Sequence, residues 1–198
     1  MTGTGLSANA LHIAIDMQRI FAENTPWHTP AFATILPNVV RLCAARPGRT
    51  VFARFVVPRS AAEASGCWKA YYRRWTAMTG DALDPAMLDL VEPLGKFATV
   101  GSIVDKSTYS IFAVPGFAER LMAEEVDTVI MSGVETDVCV YSSVLAAVDL
   151  GYRVVLAADA LGSADGEAHA AVLTHLVPRL PEQIQVMTTA AILDQRKA

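Results

Sequence analysis

The sequence predicts an α/β fold, a doubly wound parallel sheet with helices on both faces. Three observations carry the prediction: short apolar runs rich in β-branched residues recur along the chain, helix-sized segments separate them, and residues capable of chemistry stand just past several of the runs. Strands of a parallel sheet are covered on both faces, so they read as continuous apolar runs rather than as alternation. With 198 residues, 53% of them hydrophobic and 18% charged, the chain is long enough to close one sizeable core. Net charge is −4 and the basic residues are dispersed, which leaves no electrostatic footprint for nucleic acid or an anionic membrane. A small-molecule partner is therefore expected. No apolar run approaches the length of a spanning helix, and residues 1–9 are small and polar without a basic start, so the protein reads as soluble and cytoplasmic. Cys43, Cys67 and Cys139 are too few and too scattered for a disulfide framework or a Cys-x-x-Cys metal site, and all are expected reduced.

Residues 1–9 are expected to form a disordered tail and 10–198 a single domain. Leu11 to Ile15 is the first strand, ended by Asp16, and a carboxylate directly after a buried strand lies at the edge where open α/β sheets hold ligands. Asp16 is a candidate base, and it also fits a turn aspartate bonded to local N–H groups. His12 reads as a satisfied histidine of the strand. Residues 17–21 leave as a loop, kept irregular by Pro26, Trp27 and Pro30, before 32–45 reads as a helix that stops at Pro47 and Gly48. Residues 50–57 form a second strand, stopped by Pro58. The segment 60–89 has weak periodicity and an aromatic, basic cluster of Trp68, Tyr71, Tyr72, Arg73, Arg74 and Trp75. Stacking on nucleic-acid bases is one reading, but the cluster is short and isolated in an acidic chain. A lid or a subunit contact fits better, because Trp, Tyr and Arg are enriched in pocket walls and interface cores. Residues 97–101 are an edge strand or an extended loop, and 104–112 contain Lys106, either a solvated lysine or a charge of the site.

A helix over 116–125 leads into the strand 128–131, which runs through Gly133 into a helix over 138–150, capped by Thr136 or Asp137. Cys139 falls in the first turn of that helix, where unpaired backbone N–H groups and the positive end of the macrodipole favour thiolate over thiol. The competing reading is a buried structural cysteine. A strand over 153–157, a helix over 166–176, a strand over 184–187 and a polar tail complete the chain. His169 and His175 lie on different faces of one helix, a poor metal pair. Asp159 either edges the pocket or caps its loop, the loop role being the better fit. The chain has no phosphate-binding Walker loop, no Gly-x-Gly-x-x-Gly after a strand and no His-Glu-x-x-His.

With Asp16, Lys106 and Cys139 all at predicted strand ends, the sequence resembles the isochorismatase-like cysteine hydrolases, which include nicotinamidases and N-carbamoylsarcosine amidases. The resemblance spans most of the chain and rests on Ile15-Asp16-Met17-Gln18 with Phe21, on 106–112, on 133–140, and on Gly151-Tyr152-Arg153-Val154 followed by Asp159-Ala160. It implies a six-stranded parallel, Rossmann-like three-layer sandwich over 10–198, a triad of Asp16, Lys106 and Cys139, and a cis peptide between Val134 and Glu135. The backbone N–H groups of Glu135 and Cys139 would then form an oxyanion hole. Nicotinamidases of the family bind a metal through an Asp and several His after the second strand, whereas residues 54–59 hold no His. The resemblance thus implies no metal and no cofactor, and it makes nicotinamide a poorer match. The isochorismatases proper, which hydrolyse a vinyl ether, lack the cysteine that Cys139 supplies.

The implied reaction is hydrolysis of a small amide, carbamoyl or ureido C–N bond through a thioester on Cys139. Alternatives are isochorismatase-type ether hydrolysis and a non-catalytic thiol sensor or binding subunit. Pocket candidates are Phe21, Arg54, Trp68, Tyr72, Tyr109 and Phe112. Phe21 matches a family pocket aromatic and the others rest on placement. Arg54 would hold a substrate carboxylate if it faces the pocket, and is otherwise a structural ion pair. A homo-oligomer is expected, with 68–75 as a candidate contact.

Overall fold

A computed structural model describes residues 6–195. The strands β1 (Leu11–Ile15), β2 (Thr50–Phe55), β3 (Ile103–Lys106), β4 (Thr128–Val134), β5 (Arg153–Gly162) and β6 (Ile184–Met187) form one six-stranded sheet in the order β3-β2-β1-β4-β5-β6. Every neighbouring pair is parallel. The helices are α1 (Arg19–Ala22), α2 (Phe32–Ala45), α3 (Trp68–Arg74), α4 (Glu92–Gly95), α5 (Phe117–Ala123), α6 (Tyr141–Asp149), α7 (Gly166–Ala171) and α8 (Thr189–Asp194). A wide, π-type turn at Thr136–Val140 precedes α6, and another at Val172–Leu176 extends α7.

Period-two alternation along the strands sends side chains to two separate cores. Ala14, Phe52, Ile130 and Val155 pack with Phe32, Ile35, Val39 and Leu42 of α2 and Ile192 of α8. Ile13, Ile15, Val51, Val129, Met131 and Val154 pack on the other face with Phe117 and Leu121 of α5 and Val144 and Ala147 of α6. The sheet is therefore the middle layer of three, as the apolar runs predict. Strand order reverses between β1 and β4, which makes their carboxyl ends the crevice where such sheets bind ligands. Ile15 is the register partner of both Ala53 and Gly133, and Phe55 is the partner of Lys106. Four strand ends thus meet at one edge.

Several boundaries differ from the sequence expectation for tertiary reasons. Residues 19–22 form α1 instead of a loop, with Ile20 and Phe21 buried. β4 and β5 run past their expected ends because they continue to pair beyond a register shift between Met131 and Gly133. Residues 97–101 form turns rather than a strand. Asp159 lies within β5, and its Oδ1 accepts from the N–H (2.6 Å) and hydroxyl (2.8 Å) of Thr189, so it starts α8 where a polar tail was expected. Residues 1–5 of the expected disordered tail lie outside the described residues. Of the rest, Leu6 packs on the core and the Ser7 hydroxyl donates to Asp127 at 2.6 Å. Among the described residues no helix is long and apolar enough to cross a membrane.

Candidate active site

Asp16 follows β1 with φ of 54°, a left-handed conformation that Asp tolerates better than most side chains. This turn sends its carboxylate across the sheet edge to Lys106 at the end of β3. Lys106 Nζ donates to Asp16 Oδ2 at 2.9 Å and to the Thr108 carbonyl at 3.3 Å, and it stands 4.8 Å over the Phe55 ring. Both side chains of the pair are fully buried. Asp16 Oδ1 accepts no hydrogen bond, which leaves one carboxylate oxygen available to a proton. Gln18 braces this corner: its Oε1 accepts from Phe55 N–H at 2.7 Å, and its Nε2 donates to the carbonyls of Phe55 (3.0 Å) and Leu88 (2.8 Å). Sequence reading quoted Gln18 only as part of a motif, since a buried clamp role leaves no mark in local pattern.

Cys139 reaches the same corner from β4. Gly133 has φ of 111°, and a Cβ there would collide with the Ile15 backbone, so only glycine lets β4 close on the end of β1. The Val134–Glu135 peptide bond is cis. Cys139 then sits in the wide turn rather than in the first turn of an α-helix. That turn is held from outside: Thr136 N–H donates to Ser163 Oγ (3.0 Å), and the Ser163 hydroxyl donates to Asp137 Oδ1 (2.5 Å). The Ser143 hydroxyl donates to the Cys139 carbonyl (2.7 Å) and accepts from Ile111 N–H (3.2 Å), tying the turn to the segment after Lys106.

The three groups titrate as one cluster. Burial pushes the Asp16 carboxyl up, and the Lys106 ammonium only partly offsets it. Burial pulls Lys106 down, but the Asp16 and Cys139 charges outweigh that and its net shift is upward, so it remains an ammonium. Burial first, and then the Asp16 charge, hold the Cys139 thiol well above its ordinary value. This corrects the thiolate expected from the helix start: desolvation of a buried sulfur beside a carboxylate exceeds what the backbone dipoles supply. Asp16 and Cys139 are thus both shifted in the direction that favours their protonated forms, with the Lys106 ammonium opposing the shift in each.

A cavity of about 360 Å³ opens onto Cys139. Of the pocket candidates, Phe21 and Tyr109 line it. Trp68 and Tyr72 line a neighbouring cavity of about 210 Å³ instead, because α3 presents Tyr71, and the residue just after the helix, Trp75, to the first cavity. Phe112 packs against Phe117 and Tyr152 and does not line the cavity. Arg54 is the register partner of Asp105 and binds it through Nε (2.7 Å) and Nη2 (2.9 Å), the structural ion pair rather than a substrate clamp. Trp27, Tyr71, Trp75 and Glu135, which sequence reading did not single out as pocket residues, also line the cavity. The signal for Trp27 was present, as a large aromatic placed between two prolines in an irregular segment. Among the described residues no group of three or more His, Cys, Asp or Glu converges as a metal ion requires.

The family model for the isochorismatase domain matches residues 10–191. The chain is 32% identical over 97 residues to a maleamate amidohydrolase of Pseudomonas putida, covering 45% of this chain and 46% of that protein. Matches to the curated relatives span between 44% and 63% of their lengths. A cysteine hydrolase from Pseudomonas syringae pv. phaseolicola superposes with a TM-score of 0.78 at 23% identity, over 96% of this chain and 92% of that one. An N-carbamoylsarcosine amidase from Thermoplasma acidophilum superposes with a TM-score of 0.68 at 19% identity, over 91% and 96%. At these identities the structural likeness speaks to fold.

Proposed function

The chain belongs to the isochorismatase domain family, and on that premise we propose that it is a cysteine hydrolase cleaving the C–N bond of a small amide, carbamoyl or ureido compound. The observation that carries the reading is the meeting of Asp16 and Lys106 with Cys139 at one edge of the sheet, where Cys139 alone of the three lines a cavity.

The steps need only these side chains and the substrate. Lys106 keeps Asp16 ionised and oriented, and the free Oδ1 takes the Cys139 proton as sulfur attacks the carbonyl carbon. Because the thiol is held protonated at rest, proton transfer and attack are coupled, and the nucleophile is generated only when substrate is in place. The tetrahedral oxyanion is received by the backbone N–H groups of Glu135 and Cys139, each such donor contributing about 3 kcal/mol in comparable holes. Protonated Asp16 then gives its proton to the departing nitrogen, leaving a thioester and an amine or ammonia. Ionised again, it removes a proton from the water that opens the thioester to a carboxylic acid and free thiol.

The test is an ammonia-release screen over amides, ureido acids and hydantoin-derived compounds, with Cys139→Ala as control, combined with intact-mass trapping of the acyl enzyme. Turnover lost in Cys139→Ala, with an acyl adduct on the Cys139 peptide, is the expected result. Equal activity in both proteins would end this chemistry.

A further inference from the structure

The cavity above Cys139 is walled by aromatic rings around a single carboxylate. Trp27 is the hub: its ring lies 6.2 Å from Phe21, 5.9 Å from Tyr71 and 6.5 Å from Trp75, and Tyr109 completes the wall. Glu135 is the carboxylate, and no Lys or Arg of the described residues lines the cavity. One Glu135 oxygen accepts the Ala164 N–H at 2.8 Å, and the other has no hydrogen-bond partner within the described chain. Burial, and then the charges of Asp137, Asp16 and Asp165, all of the same sign, push the Glu135 carboxyl up, and the Ala164 N–H only partly offsets this. The Arg74 guanidinium stands 5.0 Å from the Trp75 ring centroid but is exposed and outside the lining. The exposed His28 imidazole is at the rim.

We propose that the substrate carries a cationic group, an alkyl- or arylammonium, on the acyl side of its amide, seated against these rings with Glu135 as counter-charge. An anionic substituent would meet a carboxylate and the negative faces of the rings. A neutral one would strip water from Glu135 and return nothing. A cation gains from both the ring quadrupoles and the carboxylate. The inference rests on the hydrolase reading only in placing the scissile carbonyl at Cys139.

Three benzamides of similar shape test it, with trimethylammonium, tert-butyl or carboxylate at the para position. Binding to Cys139→Ala is measured by calorimetry at pH 8, above the ordinary histidine range. The ammonium amide should bind about tenfold or more tighter than the tert-butyl amide, with the carboxylate weakest. In Cys139→Ala/Glu135→Gln, where the side-chain amide still accepts from Ala164, the advantage should shrink to about threefold or less. Cys139→Ala/Trp75→Leu provides the same readout if the glutamine variant does not fold. Tighter or equal binding of the tert-butyl or carboxylate amide, or no measurable binding of the ammonium amide, overturns the proposal. Turnover of all three by the wild type without that ranking sinks the cation site alone. The ranking without turnover or acyl adduct supports the cation site and sinks the hydrolase reading.

Discussion

At the scale of single residues, the Asp16–Lys106 pair is an arrangement that stability alone does not favour. Two buried charges 2.9 Å apart lose more hydration than a well-packed apolar pair would, yet removing one partner strands the other in the core. Lys106→Met is expected to cost about 3–5 kcal/mol in urea unfolding, with Asp16→Leu/Lys106→Met recovering most of that while remaining inactive. The raised Cys139 thiol makes a kinetic prediction. Iodoacetamide at neutral pH should label exposed Cys67 before Cys139, and labelling of Cys139 should accelerate as pH rises, read by peptide mass spectrometry. His12 sets an acid limit. Burial, with the Arg46 charge second, lowers its pKa from 6.5 to about 3, and its ring nitrogens contact Ser132 Oγ (2.8 Å) and Thr50 Oγ1 (3.2 Å). Above pH 6.5 the imidazole is neutral in folded and unfolded chains alike. Below it the unfolded chain binds the proton first, so stability falls by up to about 1.4 kcal/mol per pH unit until the folded value is reached. Urea midpoints from pH 7 to 4.5 should show that slope, and His12→Gln should flatten it.

At the scale of elements, the junction of β4 with the wide turn places the nucleophile. The strand must approach Ile15 closely and then reverse, and Gly133 alone permits the approach. Gly133→Ala combines a strained φ with a backbone collision that no side-chain rotation relieves. A loss of about 3 kcal/mol or more is expected, seen as a drop in thermal midpoint together with lost activity. The contacts from Ser163 and Ser143 then hold the turn on both sides.

At the scale of the whole molecule, the long connection between β2 and β3 supplies the α3 wall of the cavity, and the buried Gln18 amide fastens it to the sheet. Gln18→Ala would leave Phe55 N–H, the Phe55 carbonyl and the Leu88 carbonyl without their partner. A destabilisation of about 3 kcal/mol is expected. Hydrogen exchange should quicken in 85–91, and substrate binding should weaken because the wall carrying Tyr71 and Trp75 is released.

Local sequence suffices for the layer architecture, for the emergence of Asp16 at a strand end and for a turn carrying Cys139 after β4, whereas β3, which ends at Lys106, lies beyond the 97–101 segment expected as an edge strand or extended loop. Hydrophobic periodicity is local, and a polar residue just past a buried run must emerge at the sheet edge. Phe32–Ala45 was legible as a helix for the same reason. The remaining features depend on which strands become neighbours, and that is settled only as the chain folds. The pairing of Arg54 with Asp105 follows from the register of β2 on β3, and the placing of Trp68 and Tyr72 on the neighbouring cavity follows from how α3 docks. The upward shift of Cys139 was likewise beyond local reading: a helix start is visible in sequence, but the burial of the sulfur and the Asp16 charge beside it arise only once β1 and β4 are neighbours.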